Sequence, residues 1–215
     1  MEQHKIRVGI THGDINGIGY EIIIKALADS RMLEMCTPIV YGSSKVAAYY
    51  RKAIENEVFT FHSINHAKEA HPKRANLINC VSEEVRVELG KSTPMAGEAS
   101  FAALEAATRD LKAGDLDVIV TAPINKENIQ SERFQFPGHT EYFAQAFNAR
   151  HVLMLMVSDF LKIGVVTGHI PVNQVAQTLT KEKILNNLRI LHKTMLEDFS
   201  IRKPRIAVLG LNPHA

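Results

Sequence analysis

The chain has 215 residues, of which 46% are hydrophobic and 22% are charged. This composition is typical of a folded globular protein and excludes disordered, collagen-like and coiled-coil chains. The formal net charge is +2, and the basic residues do not form the dense cluster that a nucleic-acid-binding surface requires, so we expect no nucleic-acid partner.

The cysteine content and the N-terminus predict a cytoplasmic protein. Cys36 and Cys80 are far apart and have no CxxC or CxxH spacing, so they do not form a disulfide framework. The N-terminal segment, Met1 to Lys5, leads directly into a short apolar run, without the longer apolar stretch of a signal peptide. No apolar run approaches the roughly 20 residues of a membrane span, and we therefore expect no membrane partner.

Segments with the patterns of strands and helices alternate along the first half of the chain. Short apolar runs predict strands at 6–10, 38–41, 85–89 and 116–121. Helices are predicted at 20–28, 45–56 and 97–112. The last of these has its alanines and leucines at helical spacing, and Gly114 follows it as a residue that commonly ends helices.

The second half continues the same alternation. Thr140 is predicted to be the N-cap of a short helix, and 181–199 is predicted to be an amphipathic helix with a solvated basic face. Further strands are predicted at 152–157, 162–167 and 205–210. The whole pattern favours an α/β fold with a mainly parallel sheet covered on both faces. The turn at Ala122-Pro123 is the predicted boundary between a first α/β lobe, 1–122, and a second lobe, 123–215.

A glycine-rich loop follows the first predicted strand. Ligands of open parallel sheets bind beyond the carboxyl ends of the strands, so this loop, 11–19, is a candidate site. Its sequence, Thr-His-Gly-Asp-Ile-Asn-Gly-Ile-Gly, is neither GxGxxG nor GxxxxGK[ST]. Two interpretations stay open: a loop whose backbone N–H groups contact a polar ligand, or a tight turn that needs glycine at positive φ.

A second candidate site is the start of the helix that Thr140 would cap. Free N–H groups and the positive end of the helix dipole suit a phosphate, and His139 could donate a hydrogen bond to that phosphate or to a substrate hydroxyl. The alternative interpretation is an ordinary capped helix with an exposed histidine.

Two further histidines, His169 and His214, directly follow predicted strands. Imidazoles bind zinc and similar ions, but a catalytic metal site needs about three protein ligands. No obvious third ligand is present in the chain, and His12 is a conceivable one. The alternative is that both are polar loop histidines.

Six motifs, in order along the chain, resemble those of the 4-hydroxythreonine-4-phosphate dehydrogenase family of pyridoxal phosphate biosynthesis. They are 10–21 (Ile-Thr-His-Gly-Asp-Ile-Asn-Gly-Ile-Gly-Tyr-Glu), 96–100 (Ala-Gly-Glu-Ala-Ser), 121–126 (Thr-Ala-Pro-Ile-Asn-Lys), 137–143 (Pro-Gly-His-Thr-Glu-Tyr-Phe), 167–171 (Thr-Gly-His-Ile-Pro) and 210–215 (Gly-Leu-Asn-Pro-His-Ala). Their order and spacing agree over essentially the whole chain, so the sequence is identified as a member of this family.

The resemblance implies a fold like that of isocitrate and isopropylmalate dehydrogenases, with two α/β/α lobes and the active site in the cleft. It also implies a homodimer. It implies NAD, or NADP, as cofactor without the Rossmann fingerprint, and a divalent metal such as zinc, magnesium or cobalt. By resemblance, His139 and Thr140 bind the substrate, and His169 and His214 are two of three metal ligands. Lys126 and Asp14 become candidate catalytic residues.

The activity implied is the NAD-dependent oxidation and decarboxylation of 4-phosphooxy-L-threonine to 3-amino-2-oxopropyl phosphate. The family's first loop commonly reads Pro-Gly-Glu-Pro-Ala-Gly-Ile-Gly where this chain has 12–19, which leaves open a relative that acts on another 4-phosphorylated hydroxy acid. Family members also exceed 300 residues, so the resemblance predicts a chain that lacks its C-terminal part, the third metal histidine and the NAD site. The 215-residue form is then expected to be inactive alone, and a non-catalytic fragment that keeps part of the phosphate and metal site is the other alternative.

Overall fold

The computed structural model describes residues 5–56 and 58–214. Most of the N-terminal segment, residues 1–4, and Ala215, the last residue of the sixth motif, lie outside the described residues. The chain folds as two compact units, Met1–Phe147 and Asn148–Ala215. The predicted lobe boundary at Ala122-Pro123 lies inside the first unit, and the division into lobes at that turn stays a prediction.

The first unit is built on a five-stranded sheet in which all strand pairs are parallel. The strands are β1 (Ile6–Thr11), β2 (Cys36–Gly42), β3 (His62–Ile64), β4 (Asn76–Asn79) and β5 (Val118–Thr121), in the order β3-β4-β2-β1-β5. Its helices are α1 (Gly19–Leu27), α2 (Ser30–Met35), α3 (Ser44–Ala53), α4 (Pro94–Lys112) and α5 (His139–Ala146). Parallel strands need crossover connections. Helices α1 and α2 lie between β1 and β2, α3 lies between β2 and β3, and α4 lies between β4 and β5, whereas β3 and β4 are joined by a segment with a single 3-10 turn, Ala67–Glu69.

Alternating strand residues supply two hydrophobic clusters, one on each face of the sheet. Val40 of β2 packs with the buried residues of α1 and α3, whereas its neighbours Ile39 and Tyr41 pack with the alanines of α4. Successive strand residues point to opposite faces, so a sheet covered by helices on both faces needs apolar residues in succession. The predicted α/β fold with a mainly parallel sheet is therefore confirmed.

A third cluster attaches the segment after β5 to α4. Phe101 and Leu104 of α4 pack against Ile129 and Phe134, and the ring centroids of Phe101 and Phe134 are 5.9 Å apart. The Phe134 ring in turn stacks on Tyr142 of α5, at 5.6 Å. These contacts position the two segments that carry the candidate residues Lys126 and His139.

The second unit consists of a two-stranded antiparallel sheet and two helices. Its elements are β6 (Met154–Val157), β7 (Lys162–Val165), α6 (Val172–Thr178) and α7 (Lys181–Glu197). The predicted amphipathic helix corresponds to α7, which Thr180 caps by accepting a hydrogen bond from the backbone N of Lys183 at 3.2 Å.

Two predicted strands are absent from the part of the chain that the structure describes. Residues 85–89 form turns and irregular chain, because the backbone N of Glu88 donates to the side chain of Asn16 rather than to a neighbouring strand. Residues 205–210 are irregular as well, since no strand among the described residues pairs with them, and Leu209 is 91% exposed. The prediction of both strands was wrong because an apolar run forms a strand only where a partner is available.

Gly97 of α4 offers a test of the packing that supports the site. A Cβ at this position would overlap the backbone carbonyl of Asn128. Helix propensity alone predicts that Gly97→Ala stabilises the protein by about 1 kcal/mol. We expect the opposite, a destabilisation of about 1–3 kcal/mol, because the added methyl must displace backbone.

Urea unfolding of the variant measures this change, and Glu98→Ala, at the exposed next position, is the control. Stabilisation by Gly97→Ala would show that the contact with Asn128 is loose.

Candidate active site

The glycine loop and the chain after β5 meet at the carboxyl end of the sheet. Thr11 and Thr121 are register partners at the ends of β1 and β5. Beyond them, the backbone N of Asp14 donates to the carbonyl of Pro123 at 2.8 Å. Gly13 has a φ of +69°, and a Cβ there would overlap that same carbonyl. Glycine is thus required for this close approach, which supports the tight-turn interpretation of the loop.

His12 supports this loop from inside the protein. Its side chain is fully buried, its Nε2 lies 3.2 Å from the carbonyl of Ala99, and its ring stacks on Tyr20. Burial lowers the pKa of His12 to about 4, although hydrogen bonding to the backbone of Ala99 and Gly13 acts in the opposite direction. His12 is therefore neutral near pH 7 and holds the loop, with its Nε2–H donating to α4.

Lys126 is presented by a turn with its own internal hydrogen bonds. The side-chain oxygen of Asn125 accepts from the backbone N of Glu127 at 2.9 Å and of Asn128 at 3.2 Å. The side-chain amide of Gln130 donates to the carbonyls of Lys126 and Phe136, which closes the loop at both ends. The backbone of Lys126 is thus fixed while its side chain stays exposed.

His139 lies beside Lys126. Burial first, and the positive charge of Lys126 second, lower the pKa of His139 below its ordinary value. Its Nε2 is buried without a hydrogen-bond partner among the described residues, and its ring stacks on Phe143. A buried ring nitrogen without a partner is unfavourable, so a ligand that could pair with it would gain a hydrogen bond.

The start of α5 differs from its prediction. The N-cap is Gly138, not Thr140, because the backbone N of Tyr142 already bonds to the carbonyl of Gly138 at 3.3 Å. Thr140 is exposed in the first turn, and no side chain of the described residues caps the helix. A Cβ at Gly138 would lie 3.8 Å from both Lys126 Cε and Glu141 Oε2, so a cation and a carboxylate flank this helix start.

The structure places His169 and His214 in the second unit, both exposed. His169 follows β7 with a φ of +55°, a left-handed conformation that non-glycine residues rarely adopt. Within residues 5–56 and 58–214, no group of three or more His, Cys, Asp or Glu side chains could hold a metal ion. The two imidazoles are suitable donors for zinc and related ions, but they are one short of the usual three.

Sequence reasoning missed the side chains that hold the loops. Ser100 Oγ of α4 donates to the carbonyl of Gly13 at 2.7 Å, and Gln130 closes the Lys126 turn. Ser100 lies in a motif that the resemblance singled out, but no local pattern assigns it a partner 87 residues away.

In addition, no helix formed by the described residues is long and apolar enough to cross a bilayer.

Comparison with known proteins decides the family. A sequence model for the family described as pyridoxal phosphate biosynthetic protein PdxA matches residues 34–215. The chain belongs to this family. The resemblance that the six motifs indicated is therefore confirmed.

Similar proteins share both sequence and fold with the chain. A 4-hydroxythreonine-4-phosphate dehydrogenase of Bacteroides thetaiotaomicron is 52% identical over 100% of this chain and 59% of its own length. A protein of Oceanobacillus iheyensis named "Putative D-threonate 4-phosphate dehydrogenase" is 34% identical over 97% of this chain and 63% of its own length.

Among solved structures, a 4-hydroxythreonine-4-phosphate dehydrogenase from Burkholderia phymatum matches with a TM-score of 0.85 and 28% identity. That match covers 99% of this chain and 64% of the other. The chain thus spans less than two thirds of each of these PdxA-type proteins.

The buried His12 predicts an acid-sensitive fold. The pKa is about 4 in the folded protein and 6.5 in the unfolded chain, so the unfolded chain takes up the proton first as the pH falls. His12 should therefore leave stability unaffected above pH 6.5 and reduce it by about 3 kcal/mol as the pH falls to 4. We expect His12→Asn to be less stable at pH 7.5 but to lose less stability towards pH 4.

Denaturant-dependent hydrogen exchange at the amides of β2 measures the stability of the first unit. The control is His66→Asn, because His66 is exposed. If wild type and His12→Asn lost equal stability between pH 7.5 and 4, the assignment of His12 as a buried neutral histidine would be wrong.

The pairing of Lys126 with His139 predicts a shift in a titration. Lys126→Met should raise the pKa of His139, because it removes the second cause of its depression, but burial should still hold it below the ordinary value. Nuclear magnetic resonance of the His139 ring measures the pKa. Lys52→Met, at an exposed position of α3, is the control and should leave the pKa of His139 unchanged. An unchanged pKa of His139 in Lys126→Met would show that the charge of Lys126 does not act on this ring.

Proposed function

We propose that the chain is the larger part of a 4-hydroxythreonine-4-phosphate dehydrogenase. The reaction is the NAD- or NADP-dependent oxidation and decarboxylation of 4-phosphooxy-L-threonine to 3-amino-2-oxopropyl phosphate, in pyridoxal phosphate biosynthesis. The observation that carries this proposal is membership of the PdxA family together with 52% identity to a relative of that name.

Several features of the first unit support binding of the substrate's phosphate at the start of α5. The Lys126 ammonium lies beside the uncapped start of α5, where backbone N–H groups and the helix dipole favour an anion. A neutral His139 adds a ring nitrogen that can donate a hydrogen bond, and the exposed Thr140 hydroxyl adds another donor. Holding the remote phosphate gives binding energy that orients the reacting carbon.

Asp14 and Lys126 are the candidates for proton transfer. The first carries a carboxylate that can accept a proton, and the second an ammonium that can donate one. The segments that carry them are joined by the hydrogen bond from the Asp14 backbone to Pro123, so both belong to the carboxyl end of β1 and β5.

His169 and His214 are the proposed ligands of a divalent metal, with zinc, magnesium and cobalt as candidates. Their imidazoles fit such an ion in chemical type, although a catalytic site usually has about three protein ligands and residues 5–56 and 58–214 form no group of three. A bound metal would polarise the oxygen of the substrate's hydroxyl group, while a nicotinamide would accept the hydride. The proposal also includes a homodimer and a location in the cytoplasm. Cys36 and Cys80 are both free cysteines, which agrees with a reducing compartment.

Two other functions follow from particular observations. The 34% identity to the D-threonate 4-phosphate relative favours a second candidate substrate, which carries a hydroxyl group in place of the amino group. The other alternative is a non-catalytic fragment that retains part of a phosphate- and metal-binding site, because the chain spans 59% of the length of the Bacteroides relative.

A chimaera tests the proposal and separates these alternatives. It joins this chain to the part of the Bacteroides relative that lies outside the match. We expect the chimaera to form NADH from 4-phosphooxy-L-threonine in preference to D-threonate 4-phosphate, and the 215-residue chain alone to form none. His169→Ala and His214→Ala in the chimaera should each remove most of the activity and the bound metal.

Absorbance of NADH and metal content after gel filtration are the measurements. His151→Ala is the control, because His151 is an exposed histidine of the same unit. Faster NADH formation from D-threonate 4-phosphate would show that this compound, and not 4-phosphooxy-L-threonine, is the substrate. Unchanged turnover and metal content in both histidine variants would remove the metal assignment.

A further inference from the structure

Asn16 lies in the middle of the glycine loop, yet its side chain points away from solvent. Only 3% of the residue is exposed. Its side-chain nitrogen donates to the carbonyl of Lys91 at 2.9 Å and to Thr93 Oγ1 at 3.1 Å, and its oxygen accepts from the backbone N of Glu88 at 2.7 Å. Its own carbonyl accepts from the backbone N of Gly90 at 2.9 Å. One residue therefore fixes the whole 88–93 segment.

The partners match the two ends of the Asn16 amide. The N–H of Glu88 needs an oxygen, and the carbonyl of Lys91 needs an N–H, so the partners define the orientation of the amide. Both N–H bonds of the amide are used, one on Lys91 and one on Thr93. An aspartate of the same shape would keep the acceptor and lose both donors.

The same residue reaches the candidate catalytic side of the loop. Its backbone N donates to Asp14 Oδ1 at 2.9 Å, while the backbone N of Asp14 donates to Pro123. On the other side, Thr93 is the N-cap of α4, accepting from the backbone N of Ala96 at 3.3 Å. Asn16 thus joins the Asp14 carboxylate to the start of α4.

A second contact fixes the other end of the loop to the same helix. Ser100 lies seven residues after Thr93, nearly two turns along α4, and its hydroxyl is 2.7 Å from the carbonyl of Gly13 and 2.8 Å from that of Ala96, so the two carbonyls share its one proton. The loop is therefore held at two points, Gly13 and Asn16, on one rigid helix. Two such points fix the direction of the intervening Asp14 as well as its position.

We propose that Asn16 is a positioning residue, which couples the 88–93 segment and the start of α4 to the Asp14 carboxylate, in the loop whose backbone bonds to Pro123 on the chain that leads to Lys126. This inference rests on the proposed function in one respect, the role of Asp14 in proton transfer. The coupling itself is a property of the first unit.

Asn76 provides a matched control within the same unit. It is also fully buried, and its amide donates to the carbonyls of Pro38, His71 and Arg74 and accepts from the backbone N of His71. Asn76→Ala therefore removes a comparable set of hydrogen bonds elsewhere. Any effect of Asn16→Ala that Asn76→Ala reproduces is general destabilisation, and the remainder belongs to the coupling.

The experiment is amide hydrogen exchange of the 215-residue chain in wild type, Asn16→Ala, Asn16→Asp and Asn76→Ala. We expect Asn16→Ala to lower the protection of the Glu88, Gly90 and Asp14 amides by about tenfold or more, since each loses or loosens its hydrogen bond. Asn16→Asp keeps the acceptor for Glu88, so the Glu88 amide should stay the better protected of the three. Asn76→Ala should leave the amides of Glu88, Gly90 and Asp14 at their wild-type protection and lower the protection of the His71 amide instead.

Unchanged protection of the Asp14 amide in Asn16→Ala would overturn the proposal. If that variant fails to fold, the comparison of Asn16→Asp with Asn76→Ala decides in the same way, because the aspartate keeps the shape of the side chain and the acceptor for the Glu88 amide. Equal loss at Asp14 in the Asn16 and Asn76 variants would also overturn it.

A binding measurement separates positioning from simple stabilisation. Chemical shifts report the affinity of the wild-type chain for 4-phosphooxy-L-threonine, and we expect Asn16→Ala to weaken it by about tenfold while Asn76→Ala does not. Equal affinities in wild type and Asn16→Ala would contradict the positioning role. If the wild-type chain binds none, the proposed substrate site fails in this chain, and the exchange of the Asp14 amide alone decides the coupling.

Discussion

The site depends on the close approach of two backbone segments at the carboxyl end of the sheet. β1 and β5 are neighbours, so the loops that follow them leave the sheet side by side. They can touch only because Gly13 has no side chain and adopts a positive φ, which brings the backbone N of Asp14 to the carbonyl of Pro123. Asp14 and Lys126 are placed relative to this contact, because Asp14 lies on one segment and Lys126 on the other.

Helix α4 turns this local contact into a rigid arrangement. Its first turns carry Gly97, where the chain after β5 presses against the helix backbone, and Ser100, which holds the carbonyl of Gly13. Because these two residues are small, the glycine loop and the chain after β5 can both lie close to α4. The next residue, Phe101, packs on Phe134. The alanine-rich pattern that predicted this helix from the sequence therefore reflects close packing as much as helix propensity.

The sequence predicted those features that depend on neighbouring residues. The alternation of elements, the long helix α4 and the family motifs were recognisable because they recur at short range, and the α/β fold and the family are confirmed. Contacts between distant residues were not recognisable. Asn16 meets Thr93 across 77 residues, and the apolar run at 205–210 has no strand to pair with among the described residues. The cap of α5 was misplaced because Thr140 suits a cap in isolation, whereas the turn begins at Gly138.

The histidines show how the environment, rather than the residue type, assigns chemical roles. Burial keeps His12 neutral and leaves it a structural donor to α4. Partial burial and the charge of Lys126 also lower the pKa of His139, and this has a consequence for an anionic ligand. The positive charge beside the start of α5 then resides on Lys126, while the neutral ring of His139 can donate or accept a hydrogen bond. A phosphate would meet one ammonium, the helix N–H groups and one imidazole, with the carboxylate of Glu141 also beside the helix start, so charge and hydrogen-bond geometry are supplied by different residues. His169 and His214, by contrast, are exposed, so that each can be reached by a ligand from outside this chain.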